Sequence, residues 1–130
     1  MQRSVVDNPL SKLLGLTEPE FVDGRVVATF AVRDEHTNSG GMVHGGVLLT
    51  LADSTATHAA NLANCDESGN GPRMITLGLN ASMLGNQRGG ELRVESTIVR
   101  AGRRLTVVQT QILGNDDKLL VEVSSTHLPA

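Results

Sequence analysis

Apolar residues recur along the chain with two different periods. Between Gly45 and Asn64, the positions Leu48, Leu51, Ala52, Thr55, Ala56, Ala59, Leu62 and Ala63 fall at spacings of three and four, with no Pro among them. That is the signature of one long helix of about five turns with a broad apolar surface. Its many alanines would let a sheet wrap it closely. Elsewhere the period is two. Val26, Ala28, Phe30 and Val32 alternate, as do Ile75, Leu77, Leu79, Ala81 and Met83, then Leu92, Val94, Ser96 and Ile98. Each set reads as one face of a strand. Leu105 to Leu113 is β-rich, and Leu119, Val121 and Val123 continue the alternation.

The breaks between these segments carry turn chemistry. Asp23-Gly24 reads as a hairpin turn, Gly102 and Asn115-Asp116 as further turns, and Arg33 to Val43 and Asp66 to Pro72 as polar, Gly-containing loops. Asn8-Pro9 ahead of Leu10, Leu13 and Leu14 predicts a short N-terminal helix with Pro in its first turn. The predicted order is helix, β, β, long helix, β, β, β, β. An α+β fold follows, an antiparallel sheet with the long helix as the cover of one face. The last four strands can run as a meander, although the pattern leaves strand order open.

Length and composition narrow this further. The 130 residues suit a single domain over 1–130 with one core. Only 2% are aromatic, two Phe with no Tyr or Trp, so the core must be aliphatic. A thin aliphatic core in a short chain often leaves an apolar face for a partner subunit. The net charge of -3 calls for neither nucleic acid nor an anionic membrane. One cysteine, Cys65, excludes an internal disulfide and a Cys-based metal cluster. No stretch approaches the roughly 18 apolar residues of a membrane span. The N-terminus MQRSVVDNPL carries no apolar signal core. The expected location is the cytoplasm.

Candidate chemistry is concentrated in the run from Asn38 to His44-Gly45-Gly46, followed by Leu51-Ala52-Asp53. A glycine-containing loop there enters the long helix. The first amides of a helix have no internal acceptor and carry the positive end of its dipole. With no side chain at Gly45 or Gly46, a carbonyl oxygen could accept from a backbone N–H, the geometry of an oxyanion hole. The glycines could equally serve only the tight junction. Asp53 is a carboxylate among apolar neighbours, which is costly if buried unless paired or functional, and ordinary if it faces solvent. Thr57 lies one turn on, close enough to hydrogen-bond it. Asp53 is eight residues after Gly45, about 12 Å along the axis. If both are catalytic, one helix cannot bring them together, and the site must be shared by two antiparallel copies.

The pattern Asn38-x-x-Gly41-x-x-His44-Gly45-Gly46 with Leu51-Ala52-Asp53 resembles the signature of the hotdog-fold thioesterases, nearest to the phenylacetate-pathway (PaaI-type) and 4-hydroxybenzoyl-CoA branch. Arg100-Ala-Gly102-Arg103-Arg104-Leu is similar to the hairpin that follows there. The resemblance implies a hotdog fold, hydrolysis of aryl- or medium-chain acyl-CoA to acid and CoA, and a homodimer that assembles into a homotetramer. It implies no cofactor beyond the CoA of the substrate and no metal. Gly45 would polarise the thioester carbonyl, with Gly46 beside it. Asp53 would be nucleophile or general base, Asn38 would orient the carbonyl or water, His44 would shape the site, and Thr57 would support the carboxylate. Arg100, Arg103 and Arg104 could meet CoA phosphates, or form a solvated turn; Arg73 and Arg88 are further cations. One departure stands out: Leu84-Gly-Asn-Gln-Arg88-Gly-Gly occupies a position where many relatives carry Arg-Pro.

Other classes compete. Ser54 and His58 are i and i+4, but Asp53 points about 100° from Ser54 and no Gly-x-Ser-x-Gly elbow occurs, which disfavours a hydrolase triad. His36, His44, Asp53 and His58 lack metal-ligand spacing. His127 reads as structural or exposed. A non-catalytic acyl-CoA binding module and a hotdog hydratase or dehydratase remain alternatives. Asn38, His44, Gly45 and Asp53 together favour an enzyme.

Overall fold

The computed structural model describes residues 7–130. The expectation about a signal core in part concerns residues 1–6, which lie outside that range. The elements are α1 (Pro9–Leu14), β1 (Glu20–Val22), β2 (Arg25–Ala31), α2 (Gly45–Ala63), β3 (Met74–Met83), β4 (Glu91–Ala101), β5 (Thr106–Leu113) and β6 (Leu119–Pro129), with single 3-10 turns at Asp34–His36 and Asn115–Asp117. All six strands form one sheet in the order β1-β2-β4-β5-β6-β3. Every pairing is antiparallel. The sheet wraps α2, which is the hotdog arrangement. Among the described residues, no helix is long and apolar enough to cross a membrane.

Local chemistry explains most boundaries. Asn8 caps α1 by accepting from the Ser11 amide, Pro9 opens it, and Gly15 closes it at φ 78°. Asp23 and Gly24 both adopt positive φ, 50° and 78°, as a two-residue hairpin of the primed type requires. Most of the α2 face is built as the spacing implies: Leu48, Leu51, Ala52, Thr55, Ala56 and Ala59 are buried, with His58 and Ala60 beside them, but near the helix end Leu62 is only half-buried and Ala63 is exposed. Two apolar clusters flank the helix. One centres on Phe30, Leu48, Leu51, Val94, Ile112 and Val123, the other on Val26, Ala56, Ala59, Met74 and Val108.

Two expectations need correction. The meander spans β4, β5 and β6 only; β3 crosses to the far edge and pairs with β6. The strict alternation assigned to β3 also fails. A bulge between Thr76 and Gly78 shifts the register by one residue. Side-chain period in a strand is two, so one extra residue exchanges the faces beyond it. Met74 and Thr76 therefore share the inner face with Leu79 and Ala81. Ile75 is left 44% exposed and Leu77, at the bulge, 62%. The odd-numbered apolar run is continuous in sequence but not in space.

Candidate active site

At the start of α2, His44 is the N-cap, and its Nδ1 accepts from the Gly46 amide at 2.8 Å. The Gly46 amide, expected beside Gly45 at the substrate, is thus engaged by the cap in this structure. An Nδ1 that accepts leaves the neutral ring its hydrogen on Nε2, and the His44 side chain is exposed. The Gly45 amide makes no hydrogen bond among the described residues and stands at the positive end of the helix. Asn38 organises the preceding loop. Its Oδ1 accepts from the amides of Gly40 and Met42, at 2.9 and 3.2 Å, which leaves the Nδ2 hydrogens for a ligand.

The Leu84–Gly90 segment, where the sequence departs from the pattern, clamps this loop. Arg88 donates to the Gly40 carbonyl at 3.0 Å, and Asn86 Nδ2 donates to the Val43 carbonyl at 2.9 Å. The Val43 amide in turn donates to the Gln87 carbonyl. Gly41 has φ +81°, and a Cβ there would stand 2.6 Å from Arg88 Nη1. The glycine answers both the backbone geometry and the contact.

Asp53 projects from the middle of α2 toward β3 and lines an open cleft of about 310 Å³ with Leu49, Thr50, Thr76 and Leu79. Its Oδ1 accepts from Thr76 Oγ1 at 2.5 Å. Thr57 does not bond the carboxylate directly, contrary to expectation; its hydroxyl lies 3.3 Å from that of Thr76. Thr76 is the site residue that sequence reasoning missed, because alternation without the bulge points it outward. His127, expected to be structural or exposed, is fully buried on β6 opposite Thr76, with Nδ1 3.4 Å from Thr76 Oγ1 and Nε2 2.8 Å from Ser125 Oγ.

Within one chain the two candidate groups stand apart. Gly45 stands beside Met83 at one end of β3, where an added Cβ would be 3.7 Å from Met83 Cε, whereas Asp53 is held at Thr76 near the other end. Arg100, Arg103 and Arg104 are exposed at the β4–β5 hairpin, beyond the C-terminal end of α2, where Asn64 bonds Thr106. None of the three forms an ion pair among the described residues. No hydrogen bond links Ser54 to His58, and His58 Nδ1 is buried without a partner, which leaves no triad there. Among the described residues, no group of three or more His, Cys, Asp or Glu side chains could hold a metal. A larger cavity, about 520 Å³, lies between the C-terminal half of α2 and β1, β2 and β4. Phe21, Val26, Ala59, Leu62 and Ile98 line it, with Ser96 as its one hydroxyl and no titratable group, whereas the smaller cleft holds the Asp53 carboxylate.

Residues 40–121 match the model of the thioesterase superfamily, and the chain belongs to that family. It is a thioester hydrolase by class. It is 31% identical over 125 residues to a presumed esterase of Pseudomonas aeruginosa, an alignment covering 92% of this chain and 90% of the relative. It is 27% identical to human acyl-coenzyme A thioesterase 13 over 103 residues, covering 78% and 70%. Among solved structures, a thioesterase of Haemophilus influenzae superposes with TM-score 0.86 at 27% identity, covering 95% of this chain and 84% of that one.

Burial pushes the imidazoles of His58 and His127 below their ordinary pKa of 6.5, opposed by the charges of Glu18 and Asp53 respectively. Above that value both states are neutral. As pH falls through it the unfolded chain takes up protons that the folded chain refuses, so stability drops. Urea unfolding should show a lower midpoint at pH 5.5 than at 7.5. His58→Leu, which removes one such group, should narrow the gap. Equal midpoints for the natural chain at both pH values would show that neither histidine is held neutral.

Proposed function

We propose that the protein hydrolyses acyl-CoA thioesters to a free acid and CoA, at a site assembled from two copies of the chain. The observation that carries this is the division described above: an uncommitted Gly45 amide and an oriented Asp53 carboxylate on one helix, eight residues apart. The thioester oxygen would accept from the Gly45 N–H, whose stabilisation grows as the carbonyl gains negative charge. Asp53 of the other subunit would take a proton from an attacking water, or attack the carbonyl carbon itself. The C–S bond breaks, and the CoA sulfur leaves as thiolate or takes the proton. In the second route, water then hydrolyses the mixed anhydride. Asn38 would offer its Nδ2 hydrogens to the water or carbonyl, while His44 shapes the entrance.

The edge strand supports the dimer. β3 runs ten residues along the sheet margin without a charged residue or Pro, and it exposes Ile75 and Leu77. Natural edges of that kind are usually covered or blunted. Antiparallel pairing of β3 with its copy about a two-fold axis near Leu79 and Asn80 would place Thr76 opposite the partner's Met83. Asp53 would then lie beside the partner's Gly45.

Three outcomes are expected. Asp53→Asn should fold and bind CoA but lose about 10²-fold or more in kcat, the scale of acid–base help; thiol release at near-natural rates would remove Asp53 from the chemistry. Arg103→Ala and Arg104→Ala should raise KM for acyl-CoA more than they lower kcat, with a stronger effect at low salt. An unchanged KM in both would make the hairpin a solvated turn. Finally, Asp53→Ala and Asn38→Ala chains, each inactive alone, should complement when subunits exchange. In each mixed dimer one site keeps both residues and the other has lost both. With random exchange of equal amounts, activity should return to roughly a quarter of the natural level. Verified exchange with no recovery would refute the shared site.

A further inference from the structure

A buried hydrogen-bond chain reaches Asp53 from behind, and its direction can be worked out. Thr76 has one hydroxyl proton, and it is given to Asp53 Oδ1 at 2.5 Å. The other groups touching Thr76 Oγ1 must therefore donate to it. These are the Thr57 hydroxyl at 3.3 Å and His127 Nδ1 at 3.4 Å. The imidazole consequently carries a hydrogen on Nδ1. Burial keeps that ring neutral, which leaves Nε2 bare. Ser125 Oγ, 2.8 Å away, then donates to Nε2. Ser125 and His127 are almost completely shielded from solvent, so water does not offer either of them an alternative partner at the surface. All four donors point the same way, toward the carboxylate.

The arrangement places hydrogen-bonded polar groups where packing alone does not call for them. A serine and a histidine occupy inner-face positions of β6 next to Val121 and Val123, where aliphatic residues would pack without polar desolvation. The bulge in β3 is what turns Thr76 inward to join them. No other hydrogen bond to Asp53 is made among the described residues. Its orientation in the cleft thus depends on this single line.

We infer that Thr76 is a positioning residue for the Asp53 carboxylate, with His127 and Ser125 behind it fixing the direction of its hydroxyl proton. The inference rests on the reading of Asp53 as the reacting group. The chain holds one carboxylate oxygen and leaves the other to the cleft. Charge-assisted bonds of this kind also strengthen one another along a chain.

The test is Thr76→Val, which keeps the shape and removes the hydroxyl, beside Thr76→Ser, which restores it. Thiol release from an acyl-CoA is the readout. Thr76→Val is expected to lower kcat by about 10-fold or more with KM within about twofold, and Thr76→Ser to recover most of that loss. His127→Asn, whose amide N–H can replace the Nδ1 donor, should retain more activity than His127→Leu. In the Asp53→Asn background, Thr76→Val should cause no further loss, because there is no carboxylate left to position. If Asp53→Asn is inactive while Thr76→Val keeps natural kcat, the positioning role is wrong and the catalytic reading of Asp53 stands. If Asp53→Asn itself turns over normally, the catalytic reading falls, and the inference falls with it. Equal loss from Thr76→Val in both backgrounds would mean that Thr76 acts independently of Asp53. Should the valine variant not fold, comparison of Thr76→Ala with Thr76→Ser asks the same question.

Discussion

The close approach of α2 to the concave face of the sheet sets the rest of the structure. Ala52, Ala56, Ala59 and Ala60 are buried to 2% or less. A stripe of methyl groups lets the helix axis sink toward the strands, and the strands curve around it. Larger residues are then confined to the ends of the contact, where Leu48 and Leu51 meet Phe30, Val94 and Ile112 on one side. Because the sheet grips the alanine face, the flank of the helix beside β3 is left half open. Asp53 and Thr57 stand on that flank. A carboxylate there reaches a cleft without being sealed in the core, where its charge would be prohibitively expensive.

The inner surface of the sheet is more polar than a core built from aliphatics suggests. Ser96 and Thr110 bond each other at 2.7 Å, Thr106 accepts from Asn64 at 2.9 Å, and Ser125 bonds His127. Each buried hydroxyl is satisfied by a neighbour, so the desolvation cost is largely offset. Such pairs add direction to a core that has only two phenylalanines. At the β6–β3 end, that direction converges on Thr76 and from there on the carboxylate. On the opposite face, Arg93 and Arg25 both bond Glu95, and Arg93 also reaches Asp117. Burial of the acid is matched there by two cations, a structural use of charge far from the cleft.

Backbone polarity gives the N-terminal end of α2 its part. At the N-terminus the unpaired amides attract negative charge, and His44 takes one of them, Gly46, leaving Gly45. The loop of residues 38–43 is held against it by Asn86, Gln87 and Arg88 from the segment after β3. That clamp links the end of the edge strand to the mouth of the helix. Any pairing of β3 with another chain would therefore be felt at Gly45.

Periodicity in the sequence determined the long helix, its buried face, the antiparallel α+β architecture and the turns at Asp23-Gly24 and Asn115-Asp116. These are local matters: a 3.6-residue repeat, a two-residue repeat, and backbone angles that few residue types adopt. The loop-to-helix motif singled out Gly45, Gly46 and Asp53 as candidates, and its resemblance to the hotdog thioesterases added Asn38 and His44. Tertiary structure decided what depends on contacts between distant segments. The position of β3 beside β6 instead of β4 is a choice among pairings with similar local propensity. The bulge at Leu77 is one residue long and reverses the faces of a strand whose sequence alternates without a break. Thr76, Ser125 and His127 therefore could not be read as neighbours of Asp53. Nor could the capture of the Gly46 amide by His44, since that depends on a rotamer at the cap. Pattern specifies which elements form; packing and register specify which side chains meet.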